Sequence, residues 1–250
     1  NKMNITNKTV LITGGGSGIG FEIAKLLGEK NNRVIITGRT EAKLQKAAAQ
    51  LKNVSMLATD INSEVDIDKL IGHITREFGG LDILINNAGS AYAYKLGADV
   101  NAYDKAKEEM QTNYLSIIRL TEKLLPVLKN SKEAAIVNVT SIVAFVPGIN
   151  LPTYAASKAA LHSYTRALRY TLALTSDIKV FELMPPLVNT EFSAEIGGAN
   201  GIPPLEVAEG LIKGFESDEY ELHIGKTADI YKLYLHSPEE ALKTLNQGRE

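Results

Sequence analysis

TVLITGGGSGIGFEIAKLLGEK, residues 9–30, passes from a short apolar run through a glycine cluster into a stretch of good helix formers. Thr9–Thr13 is apolar or β-branched at every position rather than alternating, as in a strand buried on both faces. Phe21 onwards carries apolar side chains at helical spacing. Between them, glycines let the backbone turn tightly and approach a pyrophosphate, whose charge would face the helix N-terminus. The spacing Gly14-x-x-x-Gly18-x-Gly20 is one residue longer in its first gap than the usual dinucleotide fingerprint. Glycines of this kind also make ordinary flexible turns. Their place between a strand and a helix favours a nucleotide site formed by Gly14, Gly16, Ser17, Gly18, Ile19 and Gly20.

The same alternation continues along the chain. Residues 33–37 (RVIIT), 54–58, 81–85 (LDILI), 135–139 (AIVNV) and 178–183 (IKVFEL) are expected strands, with a last one near 221–224. Helices are expected near 18–31, 40–52, 63–78, 101–128 and 153–175, and HSPEEALKTL predicts a short terminal helix. Strands alternating with helices specify an α/β fold, a parallel sheet with helices on both faces. Past residue 185 the periodicity weakens, and PPLVNTEFSAEIGGANGIPP reads as an irregular excursion.

At 250 residues, 44% hydrophobic and 22% charged, one domain with a large core is expected. A formal net charge of −2 gives no electrostatic case for nucleic acid or an anionic membrane as partner. The absence of cysteine removes disulfides, thiolate nucleophiles and Cys-ligated metals, and the four histidines lack metal-ligand spacing, so no metal site is expected. The opening residues show no charged-then-apolar secretory pattern, and no window approaches a membrane span; a cytoplasmic protein is expected.

Three further segments suit a nucleotide. Dinucleotide sites selective for NAD place an acid about 20 residues past the glycines. Here Gly38 and Arg39 stand in that region, and a guanidinium would pair with a 2′-phosphate that a carboxylate would repel. The expected cofactor is NADP(H), although Arg39 could simply be a solvated residue opening a helix. Asp60 is positioned to bond an adenine amino group and Ile61 to pack on its ring. Asn86-Asn87-Ala88-Gly89 ends the fourth strand, where polar side chains hold neighbouring backbone and glycine permits close approach of a ligand. A structural turn explains NNAG as well.

Ser141 ends the fifth strand, thirteen residues before Tyr154, and Lys158 follows Tyr154 by one helical turn. Tyrosine titrates near 10. An ammonium at ~4 Å would favour the phenolate by about 4 kcal/mol at an effective dielectric near 20, with desolvation opposing it. That would bring the phenol into the range useful for acid/base work. Ser141 would hold the substrate oxygen. Taken singly, each has an ordinary role, as a loop start, a half-buried core tyrosine and a solvated lysine. Their order after the glycine loop and NNAG is what marks them.

With these motifs together, the chain resembles the short-chain dehydrogenase/reductase family over about residues 7–225. TGGGSGIG matches its T-G-x-x-x-G-x-G loop, NNAG is unaltered, and Ser141 with Y-x-x-x-K at 154–158 matches its catalytic spacing. ELMPPLVNTEFSAEIGG is similar to a DltE-like oxidoreductase subgroup. The resemblance implies a single Rossmann-like domain with a doubly wound, seven-stranded parallel sheet, assembled as a homotetramer or homodimer on the helices at 101–128 and 153–175. It implies Tyr154 as general acid/base. Lys158 would lower its pKa and bond the nicotinamide ribose, Ser141 would orient the carbonyl, and Asn113 would interrupt its helix and hold a relay water. Asn87, Ala88, Gly89, Pro185, Val188 and Thr190 complete the implied cofactor contacts. The family commonly has Pro-Gly where this chain has Pro185-Pro186, and Pro186 offers no N–H.

The expected reaction is carbonyl–alcohol interconversion with NADP(H). IVAFVPGINLPT is strongly apolar, so Val143, Val146, Ile149 and Leu151 are candidates to line a pocket for a small-molecule substrate with an apolar part, though core packing or a subunit interface would explain them too. Residues 187–205 are expected to form a lid. Two other functions fit less well. A sensor that binds NADP(H) without turnover would not need all four catalytic residues, and a nucleotide-sugar epimerase would need more chain after residue 190.

Overall fold

The computed structural model describes residues 2–250. Seven strands, β1 (Thr9–Thr13), β2 (Arg33–Gly38), β3 (Val54–Ala58), β4 (Ile83–Asn86), β5 (Ala135–Val139), β6 (Lys179–Met184) and β7 (Glu221–His223), form one parallel sheet in the order β3-β2-β1-β4-β5-β6-β7. The helices are α1 (Gly18–Glu29), α2 (Glu41–Ala48), α3 (Glu64–His73), α4 (Ala102–Met110), α5 (Ser116–Leu128), α6 (Pro152–Thr175), α7 (Pro204–Ser217), α8 (Thr227–His236) and α9 (Pro238–Asn246). None of the described helices is long and apolar enough to cross a membrane.

Alternate residues of one strand enter opposite cores, which is why β1 had to be apolar throughout. Val10 and Ile12 pack with α1, α2 and α7, whereas Leu11 packs with α3, α5 and α6. These side chains are fully buried, each stabilising the fold by about 1.5–3 kcal/mol. The sheet is therefore covered on both faces, as expected. Its order reverses between β1 and β4, so the carboxyl ends of those strands splay apart and leave a crevice. The glycine loop and NNAG sit at the two sides of that crevice.

The helix expected over 101–128 is interrupted by a wide π-type turn at Gln111–Leu115, as the resemblance implied for Asn113, and residues 204–217, for which the sequence carried no expected element, form α7. Pro203-Pro204 starts α7 where a missing N–H costs nothing. Gly210 and Gly214, which weaken the helical pattern, face the last strand. A Cβ at either would lie 2.4–2.5 Å from Ile224 or Leu222, so close packing requires glycine there. α8 also had no sequence expectation. Residues 187–203 leave the sheet as a loop whose stem is closed by a Val188–Ile202 bridge, with short 3-10 turns at Glu191–Ile196 and Gly198–Asn200.

Candidate active site

A cavity of about 1110 Å³ runs along the carboxyl ends of the strands and takes in both motifs. At its first end α1 begins without a side-chain cap, since Ser17 makes no capping bond. The first-turn amides thus lack intrahelical partners and point at an anion site. Gly14 and Gly18 have φ of +66° and +57°, which favours glycine at both. A Cβ on Gly14 would stand 2.9 Å from Ala88 Cα, and one on Gly18 would stand 3.1 Å from Thr190. The loop's backbone is therefore stripped for close approach, and these residues fit a dinucleotide pyrophosphate. Gly16, Ser17 and Ile19 line the cavity with them. Gly20 does not; a Cβ there would meet the Gly14 carbonyl at 2.4 Å, so its role is to let α1 pack against the loop.

Thr13 ties the loop to NNAG. Its Oγ1 accepts from the backbone N–H groups of Asn87 (3.0 Å) and Ala88 (3.1 Å). Asn87 Nδ2 donates back to the carbonyls of Thr13 (3.1 Å) and Gly14 (3.0 Å). Asn86 turns the other way, donating to Asn138 Oδ1 at 2.9 Å inside the sheet's α6 face. So NNAG is both a structural clamp and a cavity wall. Arg39 is exposed and borders the cavity beside Lys43, whose ammonium pairs with Glu191 at 2.7 Å. Asp60 Oδ1 accepts from Asn62 N–H at 2.9 Å, and both Asp60 and the mostly buried Ile61 reach the cavity.

At the second end Ser141, Tyr154 and Lys158 all line the same space. α6 starts at Pro152, which presets the first turn. Tyr154 and Lys158, one turn apart, consequently face the end of β5. Lys158 Nζ donates to the Val139 carbonyl at 2.8 Å and lies 5.6 Å from the centroid of the Tyr154 ring. Burial pushes its pKa down to about 8, with the Glu182 carboxylate opposing that. Burial raises the Tyr154 phenol well above its ordinary value; a hydrogen bond with Ser141 works to lower it, and Glu109 adds to the rise. Lys158, which was expected to lower it, is not among these causes. Phe192, from the loop after β6, comes within 6.1 Å of the same ring.

Asn113 occupies the middle of the wide turn between α4 and α5 and is fully buried. Its Nδ2 donates to the Ser90 carbonyl (2.8 Å) and to Ser157 Oγ (2.9 Å), while its Oδ1 accepts from Ser90 N–H (2.8 Å). The side chain thus clamps the segment after NNAG to α6 and does not itself border the cavity. One turn earlier, buried Glu109 accepts from Thr153 Oγ1 (2.5 Å) and Tyr92 N–H (3.1 Å). A Cβ on Gly89 would lie 3.3 Å from Asn113 Oδ1 and 3.9 Å from Lys158 Nζ, so glycine keeps this wall thin.

The fold brings Gly14, Gly16, Ser17, Gly18, Ile19, Arg39, Asp60, Ile61, Asn87, Ala88, Gly89, Ser141, Tyr154, Lys158, Pro185, Val188 and Thr190 to one cavity. Of the four apolar candidates, Val143 and Leu151 reach it, but Val146 is buried in the core under α8 and α9, and Ile149 points away. Sequence reasoning missed Thr13, Lys43, Glu109 and Phe192. Thr13 opens the recognised glycine motif and Lys43 lies just past Arg39, but nothing in the sequence marks Phe192 or Glu109 as neighbours of Tyr154.

The short chain dehydrogenase family model matches residues 8–200, and the chain belongs to that family. Like other members it is a short-chain dehydrogenase/reductase enzyme. Among curated relatives, it is similar to the uncharacterized oxidoreductase DltE of Bacillus subtilis strain 168, 38% identical over 220 residues, 87% of this chain and 83% of that one. A short chain dehydrogenase from Burkholderia cenocepacia J2315, solved in complex with NADP, superimposes with a TM-score of 0.84 at 25% identity, covering 97% of this chain and 98% of that one. One from Burkholderia phymatum, in complex with NAD, shares the fold with a TM-score of 0.86 at 18% identity, covering 97% and 96%.

Proposed function

We propose that this enzyme interconverts a carbonyl and a secondary alcohol with NADP(H), using Tyr154 as general acid/base. The observation that carries the reading is that Ser141, Tyr154 and Lys158 open onto the same cavity as the uncapped α1 terminus and the glycine loop. A bound nicotinamide supplies or accepts the hydride. The loop glycines and the α1 amides hold the pyrophosphate, Asp60 and Ile61 the adenine, and Lys158 the ribose beside the nicotinamide. Ser141 bonds the substrate oxygen, and Tyr154 gives it a proton in reduction or takes one in oxidation. The raised phenol pKa favours the donor role at neutral pH. A water held by Asn113 at the wide turn would connect Lys158 to solvent.

The preference for the 2′-phosphate rests on two cations, Arg39 and Lys43, beside the second strand's end, where a ribose-binding acid is absent. The solved neighbours bind NADP in one case and NAD in another, which supports a nicotinamide dinucleotide in this cavity. Ile142, Val143, Leu151, Phe192 and Ile196 give the substrate end an apolar lining. The loop at 187–205 covers that end, and Phe192 is the side chain it would place on the substrate. Tyr103, Leu115, Tyr170 and Leu174, exposed on the helices at 101–128 and 153–175, are what a homo-oligomer interface would cover.

Fluorescence titration with NADPH and NADH, followed by a carbonyl panel, tests the reading. NADPH consumption by at least one ketone or aldehyde, abolished in Tyr154→Phe, is expected. Tight NADPH binding with no consumption across a broad panel would instead favour a sensor.

A further inference from the structure

Glu182 is a fully buried carboxylate in the middle of β6, between the core residues Phe181 and Leu183. An acid there costs stability that an apolar residue would not. Its side chain lies on the α6 face of the sheet and is held from two sides. Thr140 Oγ1 donates to Oε1 at 2.7 Å, and His162 Nδ1 lies 2.8 Å from Oε1 and 3.0 Å from Oε2. Tyr154, Lys158 and His162 follow one another at four-residue intervals along α6, so His162 and Tyr154 flank the catalytic lysine. Strand pairing sets Leu183 against Val139, whose carbonyl receives the Lys158 ammonium.

We propose that Glu182 is a positioning residue for proton transfer, supplying the buried negative charge that keeps Lys158 an ammonium while Thr140 and His162 hold its carboxylate in place. The inference rests on the reading of Tyr154 and Lys158 as the proton-transfer pair. Lys158 is almost wholly removed from water, so an ammonium there needs a compensating charge. Glu182 is anchored one residue from the lysine's own anchor, since Thr140, which bonds the carboxylate, follows Val139, which bonds the ammonium. Glu109, on α4, bonds Thr153 and Tyr92 and bears on Tyr154. Glu221, on β7, is taken up by Arg166 and Arg169 farther along α6. His223, also on β7, is kept toward its neutral form by burial. β5 and the residue after it contribute only the amide of Asn138 and the hydroxyl of Thr140. Glu182 raises the pKa of Lys158 against the opposing effect of burial.

The test follows Lys158 directly, in protein carrying lysine labelled with 13C at Cε and assigned by comparison with Lys158→Met. In Glu182→Gln the Lys158 signal should titrate about one pH unit or more lower than in the parent, the size of shift a nearby opposite charge produces. Thr140→Val, which keeps the carboxylate, should shift it much less. In turnover, the alkaline limb of the carbonyl-reduction pH profile should move the same way in Glu182→Gln. An unchanged Lys158 titration in folded Glu182→Gln would overturn the proposal. If that variant does not fold, Glu182→Met with His162→Leu removes the carboxylate together with the imidazole that bonds it, so neither is left unpaired. The same downward shift is expected there, and its absence overturns the proposal equally. The spectroscopic readout needs no substrate, so a parent enzyme without turnover would count against the Tyr154 reading and not against Glu182.

Discussion

Lys158 faces the π-surface of Tyr154, its Nζ 5.6 Å from the ring centroid, and spends a hydrogen bond on the Val139 carbonyl at 2.8 Å. The ammonium is therefore braced by the end of β5 and contributes to the site as a fixed charge beside the ring. Ser141, just past the same strand end, is the group that works against burial to lower the phenol pKa, which stays raised. Both groups depend on β5 ending where it does.

Replacing Tyr154 with Phe should lower kcat for carbonyl reduction by about 10²–10⁴-fold, the usual contribution of a positioned acid. NADPH affinity and the melting temperature should change little, because the ring and its packing against Phe192 remain. Steady-state kinetics beside a thermal melt separates the two effects.

Arg39→Ala should weaken NADPH binding by about tenfold or more, the scale of a lost charged hydrogen bond, and leave NADH nearly unaffected. Lys43→Ala should act in the same direction and less strongly, since that lysine also pairs with Glu191. Fluorescence titration of both nucleotides reads the difference, and equal parent affinities for the two would refute the role given to Arg39.

Gly14→Ala places a methyl 2.9 Å from Ala88 Cα at a φ of +66°. A loss of about 1–3 kcal/mol of stability is expected from the strained backbone, together with loss of nucleotide binding. Urea denaturation and NADPH titration measure the two separately.

Burial of Lys158 makes the stability of the fold depend on pH. Its pKa falls from the ordinary 10.5 to about 8 in the folded chain. The unfolded chain therefore binds more protons between those values, and stability should rise with pH across that window. Below pH 8 the full cost, about 3 kcal/mol, is present. Lys158→Met should accordingly be more stable than the parent at pH 7 by about 1–3 kcal/mol, with the advantage fading from pH 8 upward. Denaturant titrations of both proteins at several pH values would show it, and a difference independent of pH would contradict it.

The alternation of TVLIT, RVIIT and AIVNV with amphipathic helices was enough to specify a parallel sheet covered on both faces, because burial on both sides makes those strands nearly continuous apolar runs. GGGSGIG and the spacing from Ser141 to Lys158 marked the two ends of the site for a similar reason: close approach and one-turn spacing are local properties. α7 escaped because the glycines that let it pack on Ile224 and Leu222 also erase its helical pattern. Val146 and Ile149 look like Val143 and Leu151 in sequence, and only the turn of the chain after Ser141 decides which side each faces. Thr13 meeting Ala88, Phe192 meeting Tyr154, and Glu182 meeting His162 were likewise decided by the tertiary structure. Each joins segments 20 to 75 residues apart, and side-chain periodicity, which reports only a residue's own turn or strand, carries no record of partners at that distance.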